Sequence, residues 1–368
     1  MKEILWQKEP ITVNYEDKPA YDIRIERDFS ALSKAVVDLE MSGRKFMIVT
    51  DHNVGGLYLE ECRAIFRTFA AQVDSLVIEA GEASKNMDSV NECYCRLIAG
   101  GFDRNDVLVA LGGGMIGDLT GFAAATYLRG IRFIQIPTSL LAMVDSSIGG
   151  KTGVDYSAYK NMVGAFHQPK LVYMNLSVLL SLKDREFYSG MGEIIKHGLI
   201  KDRAYYEWLK EHQEVIKAKK LTALGDMVAQ SCLIKKDVVE KDPKETGDRA
   251  LLNFGHTIGH SIERLKDFSL LHGECVSIGM AAAASLSKKR GLLTPEQLTD
   301  ILEVIRGFYQ PITVENLKAE EVYEVTKLDK KMDSNQIHYI LLKEIGNAYI
   351  DPTVTREELL EAIHFIIK

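Results

Sequence analysis

The first half of the chain alternates short, continuously apolar runs with longer segments of helical periodicity. Runs such as Lys45–Asp51 and Asp106–Leu111 are typical of strands that are buried on both faces of a parallel sheet. Strands and helices that alternate with short connections predict an open, doubly wound α/β sheet. The predicted strands are Ile11–Tyr15, Tyr21–Arg27, Lys45–Asp51, Ser75–Ala80, Asp106–Leu111, Arg132–Pro137 and Lys170–Met174, and the predicted helices between them are Phe29–Met41, Leu57–Ala71 and Asp88–Ala99.

The second half of the chain, from about residue 178, is dominated by helical periodicity. Capping boxes at Thr294-Pro-Glu-Gln297 and Thr355-Arg-Glu-Glu358 mark two helix starts, and one short strand is predicted at Ile337–Leu342. We therefore divide the chain into an α/β domain, residues 1–177, and an α-helical domain, residues 178–368. The predicted helices of the second domain are Arg185–Ile200, Ala204–Lys219, Ala223–Glu240, Leu251–Lys266, Cys275–Arg290, Pro295–Phe308 and Arg356–Ile367.

Composition excludes several classes of function. A net charge of −7 and a pI near 5.8 argue against a nucleic-acid partner. The longest nearly apolar run, Cys275–Leu286, is too short to span a bilayer. The N-terminus lacks the apolar core of a signal peptide, and five cysteines form no even disulfide framework. We therefore expect a cytoplasmic protein with reduced thiols.

Polar and glycine-rich segments follow several predicted strands, at the sheet edge where doubly wound folds bind ligands. Gly112-Gly-Gly-Met-Ile-Gly-Asp118 follows a strand and opens a helix, so its backbone N–H groups could approach a phosphate. It is not the spaced GxGxxG fingerprint, and a tight strand–helix turn is the alternative interpretation. Asp51, a possible ligand of ribose hydroxyls, and Gly81–Lys85 end two other strands.

The segment after Pro137 is rich in Asp, Ser and Lys and resembles the end of a P-loop at Gly149-Gly-Lys151-Thr152. The P-loop interpretation fails, because the required upstream glycine falls on Asp145. These polar groups, with Lys160-Asn161 after them, instead suggest side chains that line a cleft.

Three of the nine histidines fall within residues 256–272. His256 and His260 are four apart, so on a helix they share one face and could bind one metal ion together. Helix-surface or core histidines are the alternative interpretation. Glu193 and Lys196, three apart on another helix, would by default form a surface ion pair. Three basic residues ahead of the histidines, Lys235, Lys236 and Arg249, favour an anionic ligand, and a solvated helix end and loop is the alternative interpretation.

Several of these motifs occur together and in one order in a known family. They are Leu111-GGGMIGDLTGFAAATYLRGIRF, Ile136-PTSLLAMVDSSIGGKTGVD, Gly190-MGEIIKHG, Arg249-ALLNFGHTIGH and Leu271-HGE. From about Gly81 to Lys331 the chain resembles 3-dehydroquinate synthase, one of the sugar-phosphate cyclases.

The resemblance implies an N-terminal Rossmann-like domain followed by a C-terminal α-helical metal-binding domain, NAD⁺ and one divalent metal (zinc or cobalt) as cofactors, and a homodimer. It also implies conversion of 3-deoxy-D-arabino-heptulosonate 7-phosphate to 3-dehydroquinate and phosphate, a step towards chorismate and the aromatic amino acids. That reaction proceeds through transient oxidation, phosphate elimination, reduction, ring opening and aldol cyclisation, so it is a lyase reaction overall.

The resemblance also assigns roles to individual residues, and it separates His256 from His260. The metal ligands would be Glu193, His256 and His272. Residues near NAD⁺ would be Asp51, Gly81, Glu82, Lys85, Gly114, Met115, Ile116, Gly117, Asp118, Thr138, Ser139, Lys151, Lys160 and Ser181. Substrate contacts would come from Asp145, Lys151, Lys160, Asn161, Lys196, Lys235, Arg249, Asn253 and His260, from Arg129 towards the neighbouring subunit, and from either Lys330 or Lys331.

Three other functions stay open at this point. A sister cyclase would use a sugar phosphate without a carboxylate, but such enzymes depart from the family at positions matching Arg249, Asn253 or His260. A metal-dependent polyol dehydrogenase would accumulate NADH. A non-catalytic nucleotide-binding protein would not need the complete set of acid, histidines and lysines.

Overall fold

In a computed structural model, the described residues are 9–157, 159–245, 247–328 and 339–368, with the side chain of Leu328 left out. Lys330 and Lys331 therefore lie outside the described residues, as do the first two positions of the strand predicted at Ile337–Leu342. Within the described part, no helix is both long and apolar enough to cross a membrane.

The N-terminal part of the chain builds a seven-stranded sheet in the order β1-β2-β9-β6-β5-β3-β4. β1 is antiparallel to β2, and the other pairs of this sheet are parallel, which agrees with the continuously apolar sequences of strands such as β3 and β5. The sheet confirms the predicted fold class. The strands are β1 Ile11–Tyr15, β2 Lys18–Glu26, β3 Lys45–Asp51, β4 Gln72–Ile78, β5 Val107–Gly112, β6 Arg132–Pro137, β7 Lys151–Tyr156, β8 Tyr159–Phe166, β9 Leu171–Asn175, β10 Tyr339–Glu344 and β11 Asn347–Asp351.

α-Helices occupy most of the described chain after residue 183, and five α-helices lie before it. Their bounds are α1 Leu32–Val37, α2 His52–Val54, α3 Glu60–Arg67, α4 Met87–Ala99, α5 Gly114–Thr126, α6 Asp184–Lys201, α7 Arg203–Glu211, α8 Gln213–Lys217, α9 Leu221–Lys241, α10 His256–Leu265, α11 His272–Lys289, α12 Pro295–Gly307, α13 Ala319–Leu328 and α14 Arg356–Ile366. Both predicted capping boxes are formed, at Thr294 and Thr355.

The chain divides into two compact units. Of the described residues, the N-terminal unit contains those from 9 to 182 together with Leu224–Lys236, and the C-terminal unit contains Lys183–Ala223 and those from 237 to 368. The boundary that the sequence places at residue 178 stays a prediction. The C-terminal unit also contains the antiparallel pair β10–β11, so it is not purely helical.

Several predicted helices differ from the structure in their bounds or are interrupted. The helix predicted at Leu251–Lys266 is interrupted, because Gly255 adopts a left-handed conformation (φ +79°) between a 3₁₀ turn and α10. The helix predicted at Cys275–Arg290 begins three residues earlier, at His272. Of the predicted Phe29–Met41, only Leu32–Val37 is α-helical. The predicted Ala204–Lys219 is broken at His212 into α7 and α8.

The elements β7, β8, β11, α13 and the short α2 have no counterpart among the predicted strands and helices. β7 and β8 form an antiparallel hairpin in which Gly153 faces Gly164. A Cβ atom on Gly164 would lie 2.3 Å from the carbonyl oxygen of Thr152, so the two backbones touch there. The hairpin carries Lys151, Lys160 and Asn161, and it therefore positions three of the predicted site residues.

Candidate metal centre and cofactor site

Helix α6 carries the predicted carboxylate ligand into the interior of the C-terminal unit. Glu193 is fully buried and Lys196, one turn later, is 1% exposed, so the two form a buried ion pair and not the surface pair that is the default for this spacing. The Lys196 ammonium donates to Glu193 Oε2. Among the residues that the structure describes, the other oxygen, Glu193 Oε1, has no hydrogen-bond partner. A buried carboxylate oxygen without a donor is costly, and it is a natural ligand for a cation.

Two histidines of the C-terminal unit present nitrogen atoms to this same oxygen. His256 Nε2 and His272 Nε2 each lie 3.6 Å from Glu193 Oε1. One ligand atom from each of the three residues lies within 4.8 Å of the others, a spacing at which one ion can be held. We call Glu193, His256 and His272 the ligand cluster. Two imidazoles and one carboxylate are a donor set typical of catalytic zinc, which keeps a coordination position open for substrate.

Backbone contacts hold the ligand cluster together. Gly273 follows His272, and a Cβ atom on it would lie 1.8 Å from the Ser189 carbonyl oxygen of α6. Likewise, a Cβ atom on Gly192 would lie 2.6 Å from the Gly273 carbonyl oxygen. The backbone of α6 and the first turn of α11 are therefore in direct contact beside Glu193 and His272.

Electrostatics favour the metal-binding form of two ligands. Burial alone would raise the pKa of Glu193, but Lys196 and the two histidines outweigh it and hold that pKa well below its usual value. Burial, and after it the charge of Lys196, lowers the pKa of His256 well below its usual value. Burial would also lower the pKa of His272, but Glu193 and Glu263 raise it to about 9. A metal ion at His272 must therefore displace a proton.

His260 lies beside the ligand cluster and is exposed. Its ring centroid is 5.1 Å from that of His256 and 5.8 Å from that of His272. His260, Glu263 and His272 form a second group whose ligand atoms are within 4.8 Å of one another. The first group is the better metal site, because its carboxylate is fully buried and one of its oxygens has no hydrogen-bond partner in the described part of the chain.

Arg249 and Asn253 lie on the 3₁₀ turn that precedes α10. Arg249 is 3% exposed, and its guanidinium donates to the Pro243 carbonyl oxygen at 2.8 Å. The exposed Asn253 donates from Nδ2 to Glu245 Oε1 at 3.4 Å. The turn Asp248–Asn253 and α10 are separate elements, joined by Phe254 and the left-handed Gly255.

A second group of predicted residues meets at the strand ends of the N-terminal unit. α5 begins directly after β5, and its N-cap Gly113 leaves backbone N–H groups without a side-chain cap. A Cβ atom on Gly114 would lie 2.9 Å from Ser146 Oγ, so the backbone is closely approached there. Thr138 and Ser139 follow the adjacent strand β6, and the Thr138 N–H bonds to the Gly112 carbonyl. This turn suits a phosphate group.

Lys85, at the end of the Gly81–Lys85 segment, contacts two other segments of this strand-end group. Its ammonium donates to Asp118 Oδ2 at 2.7 Å and to Asn161 Oδ1 at 2.6 Å, and it lies 3.7 Å from Glu82. Burial would lower the pKa of Lys85, but Asp118 and Glu82 outweigh it and raise that pKa. Lys85 thus joins the Gly81–Lys85 segment, α5 and the β7–β8 hairpin into one polar cluster.

Other residues predicted to lie near NAD⁺ cap helices, form hydrogen bonds in turns or begin a helix. Asp51 caps α2, because its Oδ1 accepts from the N–H groups of Asn53 and Val54 at 2.8 and 3.0 Å. The Ser181 hydroxyl lies 2.5 Å from the Tyr58 hydroxyl and donates to the Val178 carbonyl at 2.9 Å. Met115, Ile116 and Gly117 lie in the first turn of α5, where they share the helix N-terminus with Gly114.

The predicted substrate residues of the N-terminal unit fall in three places. Lys235 donates to the Asp145 carbonyl oxygen at 2.7 Å and also pairs with its carboxylate. Lys151 and Lys160 are exposed on the β7–β8 hairpin. Arg129 is exposed after α5, where both it and Leu128 have positive φ angles, of +68° and +50°. Such backbone strain in residues other than glycine occurs at functional sites, and other turns of this chain carry it as well.

Sequence reasoning missed two side chains that bear on these clusters. Glu263 is buried, and its Oε2 lies 3.8 Å from His272 Nδ1. Its position, seven after His256 and three after His260, puts it on the same helix face, and this spacing could have identified it. Asp155 accepts from the Asn161 N–H at 2.7 Å across the hairpin. No sequence signal identified Asp155, because the hairpin itself was not predicted.

Comparisons with known proteins agree with these observations. Residues 75–189 match the family model described as 3-dehydroquinate synthase N-terminal, and residues 190–332 match the model described as 3-dehydroquinate synthase C-terminal. The 3-dehydroquinate synthase of Ruminiclostridium cellulolyticum is 40% identical over 352 residues, which is 96% of this chain and 97% of the relative.

Solved structures of related cyclases show the same fold. The 2-epi-5-epi-valiolone synthase of Streptomyces hygroscopicus subsp. jinggangensis 5008, solved with NAD⁺ and Zn²⁺ bound, is 28% identical with a TM-score of 0.88 over 97% of this chain and 99% of that one. A 2-deoxy-scyllo-inosose synthase complexed with carbaglucose-6-phosphate, NAD⁺ and Co²⁺ is 23% identical, with a TM-score of 0.87 over 96% of this chain and 99% of that one. On the two family models and the 40% identity, the chain belongs to the 3-dehydroquinate synthase family.

Proposed function

We propose that this protein is an NAD- and divalent-metal-dependent lyase that converts 3-deoxy-D-arabino-heptulosonate 7-phosphate to 3-dehydroquinate and phosphate. The observation that carries the proposal is the ligand cluster in a chain of this family. Its Glu193 Oε1 has no hydrogen-bond partner among the residues described and lies 3.6 Å from one imidazole nitrogen of each histidine. When bound, NAD⁺ supplies a reversible hydride acceptor and the metal ion supplies a Lewis acid for substrate oxygens.

The chain's own residues hold these groups. Glu193, His256 and His272 would bind the metal, and Lys196 neutralises the carboxylate oxygen that faces away from the two imidazoles. The turn at Gly114 supports a nucleotide phosphate, since α5 begins there with glycine residues and has no side-chain cap on its N-terminal N–H groups. Near it we place the other NAD-site residues predicted from sequence: Asp51, Gly81, Glu82, Lys85, Met115, Ile116, Gly117, Asp118, Thr138, Ser139, Lys151, Lys160 and Ser181.

The cationic and amide groups are suited to an anionic substrate. Lys151 and Lys160 are exposed ammonium groups, which suits them to the substrate phosphate. Arg249 presents a planar guanidinium, which is suited to a carboxylate. Asn253 supplies both a donor and an acceptor, and His260 can hold or release a proton beside the metal site. Asp145, Asn161, Lys196 and Lys235 complete the proposed substrate residues.

The family also motivates proposals about assembly and location. We propose a cytoplasmic homodimer in which Arg129 reaches the neighbouring subunit's site. The exposed side chain and strained backbone of Arg129 support this role. Size measurement by light scattering checks the dimer, and loss of activity in Arg129→Ala with an unchanged dimer would support the contact.

One assay tests the catalytic proposal. Purified protein with NAD⁺ and zinc is given the heptulosonate phosphate, and phosphate and NADH are followed together. Release of phosphate with no net NADH is expected, since the cofactor is returned to its starting state. Stoichiometric NADH would indicate a dehydrogenase instead. Absence of phosphate release would contradict the proposal, and turnover of a sugar phosphate without a carboxylate would indicate a sister cyclase.

A further inference from the structure

The ring of His272 lies between two carboxylates. Its Nε2 is 3.6 Å from Glu193 Oε1, and its Nδ1 is 3.8 Å from Glu263 Oε2. The second distance is that of an ion pair and is about 1 Å longer than a hydrogen bond. Glu193 is on α6, His272 is the first residue of α11 and Glu263 is in α10, so three helices of the C-terminal unit contribute to this arrangement.

His256 is oriented in the same way as His272, with Nε2 towards Glu193, but a different acceptor lies near its Nδ1. Its Nε2 also faces Glu193 Oε1 at 3.6 Å, and its Nδ1 lies 3.2 Å from the Phe254 carbonyl oxygen. A histidine that coordinates a metal through one nitrogen carries its proton on the other, and that N–H needs an acceptor. For His256 the backbone supplies the acceptor. For His272 the carboxylate of Glu263 lies on that side of the ring.

Glu263 is suited to this task by its surroundings. It is 7% exposed, and a carboxylate buried to that extent requires cationic or N–H partners. It lies two turns after His256 on the same face of α10. The close contact of α10 with α11, where a Cβ atom on Gly259 would lie 2.9 Å from the Cys275 carbonyl oxygen, fixes the distance between Glu263 and His272.

We propose that Glu263 is a positioning residue of the metal centre, which accepts the Nδ1–H of His272 and thereby directs Nε2 of that ring to the metal. This inference rests on the proposed function. Glu263 does not itself coordinate the ion in this arrangement, because its oxygen faces the nitrogen of His272 that points away from Glu193.

Zinc affinity is the measurement that tests this role. Metal-free wild type, Glu263→Gln, Glu263→Ala and His272→Ala compete for zinc with a chromophoric chelator. Glu320→Gln, which changes an exposed glutamate on α13 of the same unit, is the matched control. We expect a loss of about tenfold in Glu263→Gln, which retains an acceptor oxygen, and up to about 100-fold in Glu263→Ala. Glu320→Gln should match the wild type.

The visible spectrum of the cobalt-loaded variants gives a second readout, because it reports the ligand field and not the fold. A shifted band in Glu263→Gln supports a change in the orientation of His272. Melting curves of the metal-free proteins check folding, and if Glu263→Ala does not fold, Glu263→Gln alone carries the test.

Two results would overturn the inference. Zinc affinity within about twofold of wild type and an unchanged cobalt spectrum would show that Glu263 is not coupled to the metal. A loss in Glu263→Ala as large as that in His272→Ala would make Glu263 a ligand. If the wild type itself bound no zinc, the proposed function would fail instead, so the two failures are distinguishable.

Discussion

Two charged clusters in the C-terminal unit differ in how many hydrogen bonds their carboxylate oxygens accept. Around Arg290, the guanidinium binds both oxygens of Glu358, at 2.9 and 2.7 Å, and also donates to Asp351. Asp351 accepts further from the Thr353 N–H and hydroxyl, both at 2.7 Å. In the ligand cluster, by contrast, Glu193 Oε1 has no hydrogen-bond donor among the described residues. A saturated carboxylate stabilises the fold, whereas an incompletely satisfied one is available to a cation.

The largest effect should follow from removing a member of the ligand cluster. His256→Ala deletes one of three proposed ligands, so we expect zinc affinity to fall by more than about 100-fold and phosphate release to be lost. Metal content after dialysis and the phosphate assay measure the two effects. Retention of zinc at wild-type affinity would remove His256 from the ligand set. It would also contradict the view that the ligand cluster, unlike the Arg290 cluster, binds a cation.

His260→Ala sharpens the boundary of the ligand cluster. Because His260 lies beside the cluster and not in it, we expect the variant to keep its zinc while kcat falls about 100-fold or more through loss of a proton-handling group. Zinc content and kcat are measured on the same preparation. Equal metal loss in His256→Ala and His260→Ala would refute this division of roles.

Arg290→Ala tests the structural cluster. The change leaves Asp351 and Glu358 without their guanidinium, so the free energy of unfolding should fall by about 2 kcal/mol. Zinc affinity should stay unchanged. The neighbouring Lys289→Ala is the control, since its pair with Glu361 is exposed and should contribute less than about 0.5 kcal/mol. Urea unfolding measures the stability of both variants. A loss of zinc binding in Arg290→Ala would show that the Arg290 cluster and the ligand cluster depend on each other.

The smallest expected effect is a pH dependence of the Arg290 cluster. Hydrogen bonds from Arg290, with smaller contributions from Thr355 and Lys289, lower the pKa of Glu358 from an ordinary 4.5 to about 2. Since the folded-state pKa is lower than the unfolded one, this stabilisation is complete above pH 4.5 and is lost as the pH falls towards 2. The stability difference between wild type and Glu358→Gln should therefore shrink over that range and stay constant at neutral pH. Urea unfolding at a series of pH values checks this, and a constant difference down to about pH 3 would contradict it.

The sequence predicted the alternating sheet well, because strands such as Val107–Gly112 are buried on both faces and so are continuously apolar. It failed where a single backbone angle decides the structure, as at Gly255, whose left-handed conformation leaves no trace in hydrophobic periodicity. The β7–β8 hairpin was missed because β8 is largely exposed. Neither face of β8 is fully buried, so its sequence lacks the alternation of apolar and polar residues that identifies a strand. The capping boxes at Thr294 and Thr355 were found because their signal is local.

For the candidate site, residue types and spacing pointed to a metal near His256, but they favoured pairing it with His260. Only the resemblance to the family separated the two histidines and added Glu193, which is far away in the chain. The structure brings Glu193, His256 and His272 together through contacts between helices, and such contacts cannot be deduced from spacing along one helix. The spacing of Glu263 from His256 and His260 could have identified it, but only the ring orientation of His272 shows which nitrogen it faces.

The glycine contact between α6 and α11 also has a consequence for which ions the centre can accept. Gly192 and Gly273 sit beside two of the ligands with their backbones touching, so the ligand cluster cannot widen unless the helices separate. Zinc takes nitrogen and oxygen ligands at about 2.0–2.2 Å, whereas calcium requires six to eight oxygen ligands at about 2.3–2.6 Å. We therefore expect this centre to select small transition-metal ions by the rigidity of its walls as well as by its imidazole donors.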